Sequence, residues 1–354
     1  MAQRAKVTHA RKLRVDATVV ETPIHYPTDS GLLGDGVRVL TRLVARAKPL
    51  LHDHLGGKRT LFRNRMRTLR RPLPALYRVV RRKAHTAVAQ QRPLSARLIQ
   101  ITEQSVQQAR TVRQALAAMG DPREQPASSD ATPSAAPGQG AGARTTAERL
   151  RTEWDRFLPL VAQVIHQARS RVLQEQPVPA QEKLLSLFEP HTRVLRRHKT
   201  GTPVEFGRQV VLDEVEGGIV TRYRVLGPGE VERHELEPAV AHHQAVYGHP
   251  PHLVTADRGF HVAGQETVLQ AAGVRQIAVP AFGRGTSESR AQERRRDWKR
   301  RYRWRAGIEG RIHSWRRDYG LRRCRSHGEV GLLRDVGWGI LASNLRHIAE
   351  CLAA

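Results

Sequence analysis

Residues 35 to 113 read as helix throughout, and they separate one short β-branched segment from every other strand-like segment of the chain. Any sheet must therefore be assembled from strands that lie on both sides of a long helical block. The isolated segment is Lys12 to Glu21 (KLRVDATVVE), whose apolar stretch from Val15 to Val20 predicts a buried strand. Asp16 stands inside it, and an acid among buried residues needs a compensating partner. At the start of the helical block, Asp29 and Asp35 are expected as helix caps beside Ser30 and Gly31. Residues 118–147 hold almost no large apolar side chain, so they cannot offset the entropy of ordering and are expected to form a flexible linker. Helix is expected again from about Thr146 to Gln174, where Leu150, Trp154, Phe157, Val161 and Val164 recur at spacings of four and three, with a kink at Pro159.

After Pro190 the pattern becomes mixed. Phe206 to Glu214 and Gly218 to Leu226 flank a Glu216-Gly217-Gly218 turn, the signature of an antiparallel hairpin. A helix (Glu235 to Tyr247), a strand (His252 to Asp257), a second helix (Glu266 to Ala272) stopped by Gly273, and a strand (Val274 to Pro280) follow, before a basic helical C-terminal stretch from Ser287. With the helical block set aside, three antiparallel strands precede alternating helices and strands. The predicted fold class is α/β: a ribonuclease H-like mixed sheet of five strands with helices on both faces, interrupted by a basic all-helical insertion. The expected division is residues 1–34 and 191–354 as one catalytic domain and residues 35–190 as the insertion.

Two acids sit where such sheets build sites, Asp16 inside the first strand and Asp257 at the C-terminal end of a later one, in HLVTADRGF. Taken singly, each is more simply read as a strand cap or the partner of an arginine. A third acid lies in Tyr302 to Arg316 (YRWRAGIEGRIHSWR). On one continuous helix Tyr302, Arg305, Glu309 and Arg316 would project within about 60° of one another, with Ile308, Ile312 and Trp315 as a neighbouring apolar stripe. A solvated face with an Arg305–Glu309 pair fits the same spacing. Three converging carboxylates can hold two Mg²⁺ or Mn²⁺ ions about 3.5 to 4 Å apart for in-line phosphoryl displacement, which both cuts and joins phosphodiesters.

Charge names the partner class. Lys and Arg number 60 against 33 Asp and Glu, a formal net charge of +27, so a polyanion is expected. Between Asp35 and Arg113 there are 19 Lys or Arg and three acids, and between Arg284 and Arg323 there are 15 and five. The first of these, with His52, His54, Lys58, Arg59, Arg63, Arg65, Arg67, Arg70 and Arg71 clustered, reads as a phosphate-contacting surface. Aromatics are only 5% of residues, which argues against single-strand binding by base stacking. Two cysteines, Cys324 and Cys351, are too few for a disulfide scaffold or a cysteine-rich zinc site. No apolar run approaches a membrane span or an export leader, so the expected location is cytoplasmic, with the nucleoid. His242, His243, His249 and His252 lack zinc-like spacing and are expected to be solvated or hydrogen-bonded, while Gly138 to Gly142 lacks the residues of a phosphate loop. Asp213 and Glu214, at the end of a hairpin strand, are expected in turn and surface roles.

These residues resemble the DDE transposases of bacterial insertion sequences, in particular the ISNCY-like group with a Tyr-Arg-Glu-Lys signature. Tyr302, Arg305 and Glu309 fit that signature, and Arg316 stands where Lys is usual. VDATVVETPIHYPTDSGLLGDGVRVLTR is similar to the family's first-aspartate segment, PVEFGRQVVLDEVEGGIVTRYRVL to its hairpin, and TADRGFH to its second-aspartate segment. The resemblance implies Asp16, Asp257 and Glu309 as catalytic triad and ligands of two Mg²⁺ or Mn²⁺ ions. It implies that Tyr302, Arg305 and Arg316 contact or position DNA phosphates; Arg311, Lys58, Arg59, Arg63 and Arg65 complete the expected DNA-binding set. Metal-dependent cleavage and strand transfer on duplex DNA, at element ends and target, by a homo-oligomer are implied likewise. Family members carry a DNA-binding region of many tens of residues before the first aspartate, whereas Asp16 is 15 residues from Met1. A truncated copy, a second frame of a split gene or a misassigned start is therefore expected, with little sequence specificity in DNA binding by the chain itself. The alternative is a non-catalytic basic DNA-binding protein, a decayed transposase fragment.

Overall fold

The computed structural model describes residues 2–51, 60–81, 85–118, 139–196 and 204–353. They fall into two compact units, residues 25–190 and residues 1–24 together with 191–354.

The first unit is helical. Its elements are α1 (Asp29–Leu51), α2 (Met66–Leu69), α3 (Pro72–Arg81), α4 (His85–Ala118) and α5 (Gln139–Ala168), which continues into a π-helical turn over Arg169–Leu173. Leu33, Leu40 and Leu43 of α1 meet Leu98 and Val112 of α4 and Leu150, Trp154 and Val161 of α5 in one buried cluster. Two expectations need correction. The cap of α1 is Thr28, whose hydroxyl accepts from the Gly31 amide (3.1 Å). Asp29 instead accepts from Gln167 and Arg171, and Asp35 lies inside the helix bonded to Arg38. Helix α5 begins at Gln139, inside the stretch expected as linker, and includes Pro159. Once Leu150 and Trp154 are buried, adding turns upstream costs only propagation, not nucleation. The rest of the expected linker, residues 119–138, lies outside the described residues.

The second unit is built on a mixed sheet of β1 (Lys12–Glu21), β2 (Arg193–Arg196), β3 (Val204–Val215), β4 (Ile219–Val225), β5 (Leu253–Ala256) and β6 (Gln276–Ala278). β3 runs antiparallel to β1 along nearly its whole length, and β5 then β6 extend the sheet in parallel on the other side of β1. Among the described residues the sheet has six strands where five were expected. β3 is twelve residues long and β4 covers only the half from Val210 to Val215; β2 pairs with the other half, Val204 to Gly207, and satisfies an edge that would otherwise be bare. At the β3–β4 turn Gly217 (φ 82°) and Gly218 (φ 75°) both take the left-handed conformation that the tight reversal demands.

Helices cover both faces. On one, α6 (Leu236–Tyr247) and α7 (Gln265–Ala271) bury Leu236, Val240 and Leu269 against Leu13, Val15, Val211 and Val254. After α8 (Ser287–Arg294) and α9 (Arg296–Arg303), α10 (Ala306–Asp318) and α11 (Gly328–Ala353) bury Trp315, Leu332, Val336 and Ile340 against Val20, Val210, Leu212 and Val220 on the other. The order of the sheet, antiparallel on one side of β1 and parallel on the other, is consistent with a ribonuclease H-like domain. Among the described residues no helix is long and apolar enough to cross a membrane.

Asp213 and Glu214 are buried inside β3, not at the surface as expected. Their arginine partners come from neighbouring strands. Glu214 holds Arg14 of β1, and Asp213 holds Arg222 of β4, which also bonds Glu235 (3.0 Å). Burial pushes the Asp213 carboxyl up to about 6, against the pull of Arg222. A carboxyl raised by folding stabilises the protein fully below its unfolded value near 3.8 and loses that contribution as pH climbs through about 6. Denaturant titrations between pH 4 and pH 7 are therefore expected to show Asp213→Asn losing up to about 3 kcal/mol less stability over that range than the wild type. Parallel pH profiles for the two proteins would refute this.

Candidate active site

Successive residues of β1 face opposite sides of the sheet, so Arg14, Asp16 and Thr18 lie on the face that α10 and α11 cover, while Leu13 and Val15 enter the other core. Asp16 is 7% exposed. It accepts from the Ala17 amide (2.8 Å) and from Arg305 Nη1 (2.9 Å). Burial raises its carboxyl above the ordinary range, Arg305 and the Ala17 amide oppose the shift, and the charge of Asp257 adds to it.

Asp257 follows β5 directly. The parallel register that pairs Val15 with Ala256 brings Asp16 and Asp257 to the next rung together. Its Oδ1 accepts from the Gly259 amide (2.7 Å), capping a single 3₁₀ turn, Arg258–Phe260. Glu309 stands exposed in the first turn of α10, where a carboxylate is favoured by the helix dipole. Arg305, at the N-cap, forks between the two elements. Its Nη2 meets Glu309 Oε1 at 2.5 Å while its Nη1 holds Asp16. The i,i+4 pair legible in the sequence exists, but its arginine is only 13% exposed and ties the acid of the helix to the acid of the strand. Asp16, Asp257 and Glu309 all line one open cleft of about 1160 Å³, with Arg305 and Arg316.

The expected single helix from Tyr302 to Arg316 is broken: α9 ends at Arg303 and α10 starts at Ala306. Tyr302 thus belongs to α9, stacks on Trp298 (5.0 Å between centroids) and lies 5.7 Å from the Arg305 guanidinium. Arg316 borders the cleft, 3.7 Å from Glu205. Arg311 faces buried Glu214 (3.6 Å) and lines a different, smaller cavity with Ser314 and His347. In the helical unit Arg63 is exposed, and Arg65 donates to Gln104 (2.7 Å) and Gln108 (3.1 Å); Lys58 and Arg59 lie outside the described residues. His242 and His243 bond backbone carbonyls, of Thr221 and His249.

Sequence reasoning missed Gln209 and Glu232, which also line the cleft and are bonded to each other. Glu232 sits on a 3₁₀ turn in GEVERHE, where no periodicity marks it. Arg317 and Arg322 also line the cleft, and only the excess of cations over 284–323 hinted at them.

Among the described residues, no group of three or more His, Cys, Asp or Glu side chains is close-set enough to hold a metal ion as it stands. The donor chemistry nevertheless suits one. The acids of the cleft offer only carboxylate oxygens, the ligands of hard divalent cations, and the Arg305 guanidinium stands as the cation between Asp16 and Glu309.

Residues 197–345 match the model of the transposase DDE domain. No curated protein and no solved structure matches the chain. The segment that carries Asp257, Arg305, Glu309 and Arg316 is thus similar to a transposase DDE domain, and Asp16 reaches the same cleft from a strand outside the matched stretch.

Proposed function

We propose that this chain is a transposase of the DDE type, cutting and rejoining DNA strands in the cleft that β1, β5 and α10 enclose. One observation carries the reading: acids from three elements, spread from position 16 to position 309, line a single cleft whose other charged residues include four arginines. Asp16, Asp257 and Glu309 would hold two Mg²⁺ or Mn²⁺ ions, which when bound activate the attacking oxygen and stabilise the leaving oxygen of a phosphodiester. The remaining work falls to the chain itself. Arg316, Arg317 and Arg322 draw phosphates to the acids, which by themselves would repel them. Arg305 holds Asp16 and Glu309 in mutual register and offsets their repulsion. The finer reading, an ISNCY-like enzyme acting as an oligomer on element ends and target DNA, rests on the Tyr302-Arg305-Glu309-Arg316 signature.

Full-length protein is expected to nick supercoiled plasmid DNA with Mg²⁺ or Mn²⁺ and to stop when the metal is chelated. Its binding to duplex DNA should weaken steeply with salt whether or not metal is present. The second reading, a basic DNA-binding protein without catalysis, draws support from Arg305 neutralising two of the acids. Salt-sensitive binding with no nicking under either metal would establish it.

A further inference from the structure

The break between α9 and α10 is marked by its backbone hydrogen bonds. In an unbroken helix the Trp304 carbonyl would accept from the Ile308 amide. Here the Ile308 amide turns to Arg305 (2.9 Å), and the Trp304 and Arg305 amides likewise bond three residues back, to Arg301 and Tyr302. The Trp304 carbonyl accepts from the Gly307 amide, again three residues on (3.4 Å), and from Arg14 Nη1 of β1 (2.8 Å). The same guanidinium sits 4.8 Å from the centroid of the Trp304 ring and grips Glu214 through Nε (3.1 Å) and Nη2 (2.7 Å). Glu214 is fully buried, so the fork that aims Arg14 is locked into the sheet. Gly307 follows the break, and any side chain there would run into Arg14.

Arg14 and Asp16 are neighbours on one face of β1. Trp304 immediately precedes Arg305, which holds both Asp16 and Glu309. We propose that Arg14 is the positioning residue of the cleft: seated on Glu214, it binds the Trp304 carbonyl at the helix break and so fixes Arg305 and Glu309 against Asp16. The inference rests on the reading of the cleft as the site of strand cleavage. Arg14 bonds Glu214 and not Asp16, Asp257 or Glu309; it acts through the backbone at position 304.

The test uses the full chain, supercoiled plasmid as substrate and Mn²⁺ as metal. Arg14→Met is expected to lower the nicking turnover at least about tenfold with duplex affinity within about twofold, because the phosphate-binding arginines stay in place. Arg14→Lys, which keeps the charge but cannot grip Glu214 and Trp304 together, should recover part of the loss and serves if Arg14→Met does not fold. The readout independent of activity is Trp304 fluorescence: emission should shift in Arg14→Met and not in Arg14→Met combined with Trp304→Phe. Unchanged turnover in both Arg14 variants, or emission that does not move, overturns the proposal. A wild type that never nicks overturns the functional reading instead, and the Trp304 shift alone then decides whether Arg14 holds the residue at the break.

Discussion

Asp16→Asn is expected to remove nicking almost completely, on the order of a thousandfold or about 4 kcal/mol of barrier, while leaving DNA binding intact. The carboxylate is the only side chain that β1 contributes to the cleft with the charge to hold a divalent cation; Ala17 and Thr18 are its neighbours there. Asn preserves shape and the ability to accept from the Ala17 amide, so the fold has little to lose. Burial already disfavours the ionised acid at this position, and removing the charge relieves a desolvation cost even as Arg305 loses a partner. The thermal midpoint should accordingly move by only a few degrees. Asp257→Asn and Glu309→Gln should produce the same loss of cleavage, since each supplies one wall of the same cleft. Glu309, exposed and paired with Arg305 along its helix, is the least costly to the fold and the cleanest of the three tests. Supercoiled plasmid, Mg²⁺ and Mn²⁺ in separate series, and a filter or gel assay for binding provide the comparison. If all three variants cleave like the wild type, the chemistry does not happen in this cleft.

What the sequence made legible, and what it hid, follows from the range of the forces involved. Strand β1 and the strand before Asp257 were readable because burial on both sheet faces leaves a run of β-branched residues. Their acids stood out against that run. Strand β2 was invisible: RVLR has no pattern of its own and is a strand only because β3 overreaches β4. Asp213 and Glu214 looked like turn residues beside Glu216-Gly217-Gly218 because an acidic pair at a strand end has no local signal of burial. Arg14, which compensates Glu214, is 200 residues away, and Arg222, which compensates Asp213, sits across the hairpin. The helix break at Trp304 and Arg305 lies in YRWRAG, which contains no proline to announce it, and the Arg14 guanidinium that bonds the Trp304 carbonyl comes from a strand 290 residues away. A helical wheel assumes one axis, so it placed Tyr302 beside Glu309, whereas the break leaves Tyr302 on α9 against Trp298. The angular argument survives for the part that lies on α10 and its cap: Arg305, Glu309 and Arg316 do border the cleft.

Helix α10 must be held firmly for any of these geometries to matter, and Trp315 is the larger of its two buried side chains, beside Ile308. It is 1% exposed and packed with Leu212, Val220, Leu332 and Ile340, and its indole Nε1 donates to Ser343 of α11 at 2.7 Å. Trp315→Ala is expected to cost about 3 to 5 kcal/mol, the range for emptying a large aromatic site in a core that relaxes only partly. Trp315→Phe keeps most of the apolar contact but leaves the Ser343 hydroxyl without its donor, and should cost about 1 to 2 kcal/mol. Urea titrations of both variants, followed by far-ultraviolet circular dichroism, measure the two costs. The contrast discriminates between packing and the single hydrogen bond as the cause of seating. Equal losses would assign it to the hydrogen bond, whereas a loss under about 1 kcal/mol in Trp315→Ala would show that α10 is not anchored through this residue at all. Because Glu309 lies six positions before Trp315 on the same helix, Trp315→Ala should also depress nicking at temperatures where the chain is still folded. Trp315→Phe, with the core filled, should not.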